Sequence, residues 1–474
     1  MNMATEPKQL RSHTSSEVGH CLVLGSGFAG LLAAHVLAEH GMRVTIIEPD
    51  PLPDHAESRR GTPQDRHPHG LLQRGAEVLE SFFPGLDAEL RDCGAHVFDF
   101  GEHARVLFPG GWAAPVTSQV YHHASSRPLL EWVIRRRVLR GSTITVADRT
   151  RARNLLWRNG KVIGIEDNRD VSWHADLVVD ATGRGSKLGD WLTGAGLTPP
   201  PARHVRAQLS YTSRLYECPP DYRPPWQLSA ELTYAPSTRH GAVATRIEND
   251  RILLTLIGAD GAKAPRNENG FRDYALSLRS PDFHEILSHT TPLSNITCYS
   301  GLHNDWQPYH RMHRWPDGLI ALGDAVCTLN PIYGQGMTVA AVEAATLQRI
   351  LTRRSACEPG FARTLQHAIP AAIRLPWRLA AYSDIGWRAT NQRKTLDPRH
   401  RIVRWVVDRI PEDPELYRRF IPVQNLLTHP VTLARPALRL RSSAPPHQTH
   451  RPRQPDRHAG TAQTSPGSSH GDSE

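Results

Sequence analysis

The chain has 474 residues, 39% of them apolar and 22% charged, which is an ordinary globular composition with room for two or three domains around a large buried core. Its formal net charge is +9, yet only 5 of its 56 basic residues are lysines and the arginines are spread along the chain, which argues for solvated surface and against nucleic-acid binding. Cys21, Cys93, Cys218, Cys298, Cys327 and Cys357 form no CxxC pair, so neither a disulfide framework nor a zinc ribbon is expected, and no metal site. No run of about 18 apolar residues is present to span a membrane, and the first 18 residues lack the apolar core of a secretory signal, so a cytoplasmic protein is expected.

Residues 1–18 are polar and are expected to be disordered. Cys21-Leu22-Val23-Leu24 then reads as a buried strand ending at Gly25, with a helix over residues 30–40 and a second strand over residues 43–48, which together form a βαβ unit. Ala175 to Val179 and Gly318 to Leu322 are two further buried strands, the second followed by a helix with Met337, Ala340, Ala344, Leu347 and Leu351 on one face. Between them, residues 95–121 and 205–300 alternate polar with Tyr, Thr and Leu, as in Gln208-Leu209-Ser210-Tyr211-Thr212, and suit an inserted antiparallel sheet. Residues 361–440 have helical spacing, with Ile402, Val403, Val406, Val407 and Ile410 on a shared face. The last 32 residues, Ser443 to Glu474, hold no aliphatic or aromatic side chain larger than Ala and are expected to be a disordered tail.

Gly25-Ser26-Gly27-Phe28-Ala29-Gly30 is a GxGxxG placed after a strand and opening a helix. Gly25 suits the tight turn, Gly27 lets backbone approach a pyrophosphate, and Gly30 lets the helix pack closely on the strand. Glu48, at the end of the second strand, is placed to accept hydrogen bonds from ribose hydroxyls. These features mark a dinucleotide site without separating NAD from FAD. The later stretch Leu322-Gly323-Asp324-Ala325 and Asn330-Pro331-Ile332-Tyr333-Gly334-Gln335-Gly336-Met337 favours FAD. Asp324 is suited to a ribityl or ribose hydroxyl, and the helix opened by the Gly334/Gly336 loop would point its N–H groups at the flavin N1–C2=O edge.

These blocks, with the middle Asp180-Ala181-Thr182-Gly183, resemble the FAD-dependent monooxygenase superfamily typified by p-hydroxybenzoate hydroxylase, over most of residues 20–440. Arg59 to Gln64, His67, His69, Ser126 to Glu131, Asn330 to Met337, and Pro376-Trp377-Arg378 with Asp384 resemble a bacterial branch that includes polyketide polyene epoxidases. The resemblance implies a Rossmann-type, glutathione-reductase-like α/β FAD domain (19–60, 122–200 and 301–352). An inserted antiparallel substrate domain (61–121 and 201–300) and C-terminal helices (353–442) complete the expected fold. It implies that Arg127 contacts the pyrophosphate, that Thr182, Gly183, Gly323, Pro331 and Met337 belong to the FAD site, and that Arg60 lies near flavin and phosphates. His67 and His69 would line the site or give a proton, and Arg60 and His69 are the candidates at the reacting centre.

The function implied is insertion of one oxygen from O2, activated at flavin C4a, into a hydrophobic unsaturated or aromatic small molecule in secondary metabolism. The middle motif departs from the Asp-Gly common in pyridine-nucleotide-using members, so NAD(P)H and a separate flavin reductase both stand as the electron source. A flavin dehydrogenase or double-bond reductase, and a non-catalytic flavin-binding redox partner, remain the alternatives.

Overall fold

The computed structural model describes residues 18–387 and 397–434, apart from residue 142. The two segments read as disordered, 1–18 and 443–474, lie outside the described residues except for Val18.

Five short strands form a parallel sheet in the order Leu319–Ala321, Leu177–Asp180, His20–Leu24, Arg43–Ile47, Ile144–Ala147. Cys21 stands beside Leu177 on one side and Val44 on the other. Cys21 to Leu24 and Leu177 to Asp180 are buried at every position, because helix Phe28–Glu39 and a three-stranded antiparallel sheet (Ala152–Arg158, Lys161–Asp167, Ser172–His174) both pack on them. That small sheet was not among the elements read from sequence. Helix Phe28–Glu39 is buried on nearly every side, since it also meets helices Arg127–Val138 and Gly336–Leu351.

Parallel strands gather their carboxyl ends along one edge. Here that edge collects the turn after Leu24, Glu48 after Ile47, residues 181–185 after Asp180 and Gly323-Asp324 after Ala321. Motifs separated by about 300 residues of sequence therefore border one groove. Asp180, fully buried, fixes its turn by accepting from the Thr182 N–H at 3.0 Å, the Thr182 hydroxyl at 2.6 Å and the Ser186 hydroxyl.

A larger sheet runs Cys327–Thr328, Thr297–Trp306, Arg203–Glu217, Arg251–Gly258, His240–Ile247, Leu228–Glu231, Ala104–Phe108, Gly111–Trp112. Its pairs are antiparallel except for Leu228–Glu231 and Ala104–Phe108, which run parallel with Ala230 beside Val106. That pair joins the two sequence segments expected to form the substrate domain, and strand Thr297–Trp306 runs across the boundary drawn at residue 300.

The C-terminal region is helical, at Phe361–Ala368, Pro370–Asp384, Pro398–Arg409 and Pro414–Gln424. Val406, Val407 and Ile410 are buried in one apolar cluster with Phe108 and Tyr417. Ile402, expected on the same face, is instead 67% exposed. The buried stripe is centred on Val406, Val407 and Ile410, and Ile402 falls on its margin.

Glu343, in the middle of helix Gly336–Leu351, is fully buried and accepts from the Gly323 N–H at 2.6 Å, tying that helix to the Gly323-Asp324 turn. Burial raises its carboxyl to about 8, so it is neutral at pH 7 in the folded chain and ionised in the unfolded one. The folded state thus binds one more proton between pH 4.5 and 8, and stability should fall with a slope of up to about 1.4 kcal/mol per unit as pH rises through that window. Glu343→Gln, which keeps an acceptor for Gly323, should remove that component from denaturation curves taken across the window. An unchanged slope would place the ionisation elsewhere.

Candidate active site

Gly25 sits at φ +96°, in the left-handed region, and a Cβ there would lie 2.7 Å from the Ala181 carbonyl oxygen. A Cβ on Gly30 would lie 2.0 Å from the Gly25 carbonyl oxygen, so the helix can approach its own turn only with hydrogen at that position. Gly27 is different: nothing lies within 4 Å of its would-be Cβ. The space is open beside the first N–H groups of a twelve-residue helix, which is the geometry an anion needs. Gly183 and Gly336 are open in the same way.

Glu48 is buried and held from several sides. Its Oε2 accepts from the Ser26 N–H at 2.8 Å and the Ser26 hydroxyl at 2.6 Å, and its Oε1 accepts from the Asp50 N–H at 2.9 Å. The arginine beside it is Arg59, 7% exposed, with one guanidinium nitrogen 3.4 Å from Glu48 and another bonded to Glu131. Arg127 reaches the other Glu131 oxygen at 3.3 Å and lies 5.4 Å over the Phe28 ring. Arg60 is exposed. Arg60 is singled out by the resemblance alone; of the pair, the fold turns Arg59 in and leaves Arg60 at the surface. Arg127 occupies the first position of helix Arg127–Val138, capped by the Ser126 hydroxyl accepting from the Leu129 N–H.

Asp324 has an accessible side chain at the groove, yet enclosure by the surrounding protein raises its carboxyl against the opposing charges of Arg184 and Arg127. Helix Gly336–Leu351 follows a short turn, Pro331–Tyr333, and Gly334 at φ +64°. At its start both amide atoms of buried Gln335 and the Thr338 hydroxyl have no partner among the described residues. Met337 is buried in its first turn. The open glycines, the two helix N-termini, Arg127 and the unpaired Gln335 fit an extended dinucleotide laid along the groove with its far end over Gly336.

The Pro331–Gly334 segment is anchored by Asp384, 2% exposed. Asp384 accepts from Asn304 at 2.7 Å, Asn330 at 2.8 Å and the Tyr333 hydroxyl at 2.6 Å. Burial raises its carboxyl to about 6 against the opposing effect of those three donors. Sequence reading noted Asp384 only through resemblance, because its partners come from two distant segments, the strand that carries Asn304 and the turn that carries Asn330 and Tyr333.

A cavity of about 520 Å³ opens from this segment, between the large sheet and the C-terminal helices. Its wall is largely apolar, including Phe100, Phe108, Ile257, Ile332, Val406 and Phe420. His69 lines it and His67 lies behind it. Enclosure by the cleft and the charge of Arg127 lower His69 to about 3, and its Nδ1 faces the His67 carbonyl oxygen at 2.7 Å. A carbonyl only accepts, so neutral His69 keeps its proton on Nδ1 and offers Nε2 as an acceptor. His67, 3% exposed and lowered to about 4 by burial, bonds the Ser213 hydroxyl at 2.6 Å, and Ser213 bonds Thr255 on the cavity wall. Among the described residues no group of three or more His, Cys, Asp or Glu side chains is placed to hold a metal, and Cys327 is a free thiol buried in the core.

The profile of the FAD binding domain family matches residues 19–356. The chain belongs to this family of p-hydroxybenzoate hydroxylase-like flavin monooxygenases. Protein Rv3254 of Mycobacterium tuberculosis is 32% identical over 390 residues, 78% of this chain and 80% of its own. The kynurenine 3-monooxygenase of Xanthomonas campestris is 24% identical over 362 residues, 72% of this chain and 73% of its own. The crystal structure of PqsL from Pseudomonas aeruginosa, described as a probable FAD-dependent monooxygenase, shares the fold at a TM-score of 0.56 and 19% identity, covering 82% of this chain and 99% of that one. No helix among the described residues is long and apolar enough to cross a membrane.

Two contrasts test the flavin groove. Gly27→Ala should change folding stability by no more than about 1 kcal/mol while abolishing FAD retention on desalting, because the added methyl fills open space needed by the ligand. Gly30→Ala should lose FAD and also about 1–3 kcal/mol of stability, because its methyl meets backbone. In the ion cluster, Arg59→Ala leaves Glu48 and Glu131 without that cation and should cost about 3–5 kcal/mol in denaturant unfolding. Arg60→Ala should stay within about 0.5 kcal/mol of the parent.

Proposed function

We propose that this flavoprotein inserts one oxygen atom of O2 into a hydrophobic, unsaturated or aromatic small molecule, by epoxidation or hydroxylation, in secondary metabolism. The epoxidase branch that the Arg59–Gln64 and Asn330–Met337 stretches resemble is the favoured setting. The observation that carries this reading is the meeting of groove and cavity at one segment. Pro331, Ile332, Tyr333 and Gly334 line the apolar cavity and lead directly into the helix whose N-terminus opens at Gly336. A substrate in the cavity would then lie against the redox-active end of a dinucleotide in the groove.

FAD, when bound, supplies the activation of O2. Gly27, the helix behind it and Arg127 would hold the pyrophosphate, Glu48 a ribose hydroxyl and Asp324 the ribityl chain, with Thr182, Gly183 and Gly323 shaping the groove. The N–H groups at Gly336 and Met337 would face the N1–C2=O edge, where a helix N-terminus favours the negative charge of the reduced ring. Asp384, through Tyr333 and Asn330, would fix the segment shared by groove and cavity. The apolar wall excludes the water that competes for an oxidising species. His69 would serve as an acceptor at the cavity wall through Nε2. Electrons would come from NADPH or NADH, or from a separate flavin reductase.

An absorption spectrum of the purified protein during anaerobic titration with NADPH and NADH tests this reading. Bleaching of the flavin band by one of them, with return in air, is expected if the reductant docks directly. No bleaching, with turnover restored by an added flavin reductase, would assign the reductant to a partner. Protein that stays colourless after FAD is added would overturn the reading, and product lacking oxygen-18 after turnover under labelled O2 would replace it with a dehydrogenase.

A further inference from the structure

The cavity reaches the surface at an apolar rim. Ile402 is 67% exposed and Trp405 52% exposed, three residues apart on helix Pro398–Arg409, so they are neighbours on its outer face. Val431, 61% exposed, stands in the short turn Pro430–Ala434. Helix and turn border the same cavity, the helix through Ile402 and the turn through Pro430 and Leu433. Ile402 thus belongs both to the cavity lining and to the outer surface, which puts the mouth of the cavity beside it. Large apolar side chains grouped at a surface mark a place that meets something other than water.

The same face is basic. Helix Pro398–Arg409 carries Arg399, Arg401, Arg404 and Arg409 against the single carboxylate of Asp408. Asp408 is paired with Arg404 at 3.3 Å, and Asp397, which caps the helix, with Arg399 at 3.0 Å. Arg401 and Arg409 have no carboxylate partner among the described residues, and Arg409 lies 5.0 Å over the Trp405 ring. The sequence from 435 to 455 adds five arginines and no acidic residue. Exposed tryptophan and branched aliphatic side chains flanked by arginines are the composition that settles at the boundary between lipid headgroups and acyl chains. A second copy of the chain set face to face here would bring like charges together, whereas an anionic lipid surface would match them.

We propose that the outer face of helix Pro398–Arg409, together with Val431, docks on an anionic lipid bilayer, lying at its surface without crossing it, with the mouth of the cavity turned to the lipid. An apolar molecule dissolved in the bilayer would then enter the cavity without passing through water. That route rests on the cavity being the substrate site. Docking itself requires neither flavin nor O2, so its failure leaves the monooxygenase reading in place.

The test is co-sedimentation of the FAD-loaded full chain with vesicles of phosphatidylcholine and phosphatidylglycerol, and with vesicles of phosphatidylcholine alone. The mixed vesicles should bind it about tenfold or more tightly than the neutral ones at ~0.05 M salt, and the preference should shrink at ~0.5 M. Ile402→Ser with Trp405→Ser should weaken binding to the mixed vesicles by about tenfold or more. No binding to the mixed vesicles, or equal binding to both kinds, would overturn the proposal. Binding that survives in the double variant would assign the attraction to arginines elsewhere and overturn it too. Without lipid, parent and double variant should sediment alike; a dimer that the double substitution dissolves would give this face to a second copy instead. The double variant should also melt within about 2 °C of the parent, because both side chains face solvent. A loss of several degrees would show that the two pack within the protein and overturn the proposal on its own.

Discussion

Helix Phe28–Glu39 lies so close to the turn it leaves that a single methyl at Gly30 would stand 2.0 Å from the Gly25 carbonyl oxygen. Much of the groove follows from that approach. It aims the helix N-terminus past Gly27 into open space and sets the helix against Gly336–Leu351, whose own first turn forms the far end of the groove. Gly323, at φ +65°, is tied into the same contact, since a Cβ there would stand 2.7 Å from the Ala29 Cβ. Buried Glu343 then holds the Gly323 N–H from the second helix. Two helix N-termini are thus directed along one groove by contacts that leave no room for side chains between them, and a polyanion with an electron-accepting ring needs both.

The groove also carries a buried charge cluster whose role is orientation more than stability. Glu48, Arg59, Glu131 and Arg127 form a chain of alternating sign, and the first three have side chains no more than 6% exposed. Replacing such a cluster with well-packed apolar residues would often be neutral or favourable for folding, whereas removing one member leaves an unmatched charge inside. What the cluster achieves locally is placement. Glu131 engages both arginines, and Glu48 is locked by Ser26 within the glycine turn. The carboxylate proposed for a ribose and the cation proposed for a phosphate are thereby held by one set of contacts.

The parts of this site that depend on neighbours in sequence were legible there, and the parts that depend on neighbours in space were not. The glycine turn, its strand and Glu48 can be read from spacing, because their geometry is decided within about 30 residues. Asp324 and the Gly334–Gly336 turn were readable for the same reason. Arg59 and Arg60 differ only in which way the chain turns at Thr62 and Asp65, and Asp65 makes the choice by accepting from the Arg59 N–H at 3.0 Å. The cavity draws its walls from residues as distant as Pro68 and Leu433, so periodicity within any one segment could not reveal it. Ile402 illustrates the limit from the other side. Its spacing matches a buried face, yet the helix stripe is centred on Val406, Val407 and Ile410, leaving it at the margin. The parallel pairing of Leu228–Glu231 with Ala104–Phe108 was hidden too, since a long-range strand pair leaves no local signature.

The absence of any strong nucleophile, paired-carboxylate or metal pattern in the sequence acquires a structural reason from the segment Asn330–Gly334. Protein groups that could act as acids or bases there are already committed to holding shape. Asp384 accepts from three donors, His67 is bonded to Ser213, and neutral His69 is turned toward a backbone carbonyl. A chain whose reactive species is supplied by a bound flavin gains more from a rigid, dry wall than from mobile proton donors, because stray acids and water divert that species before the substrate meets it.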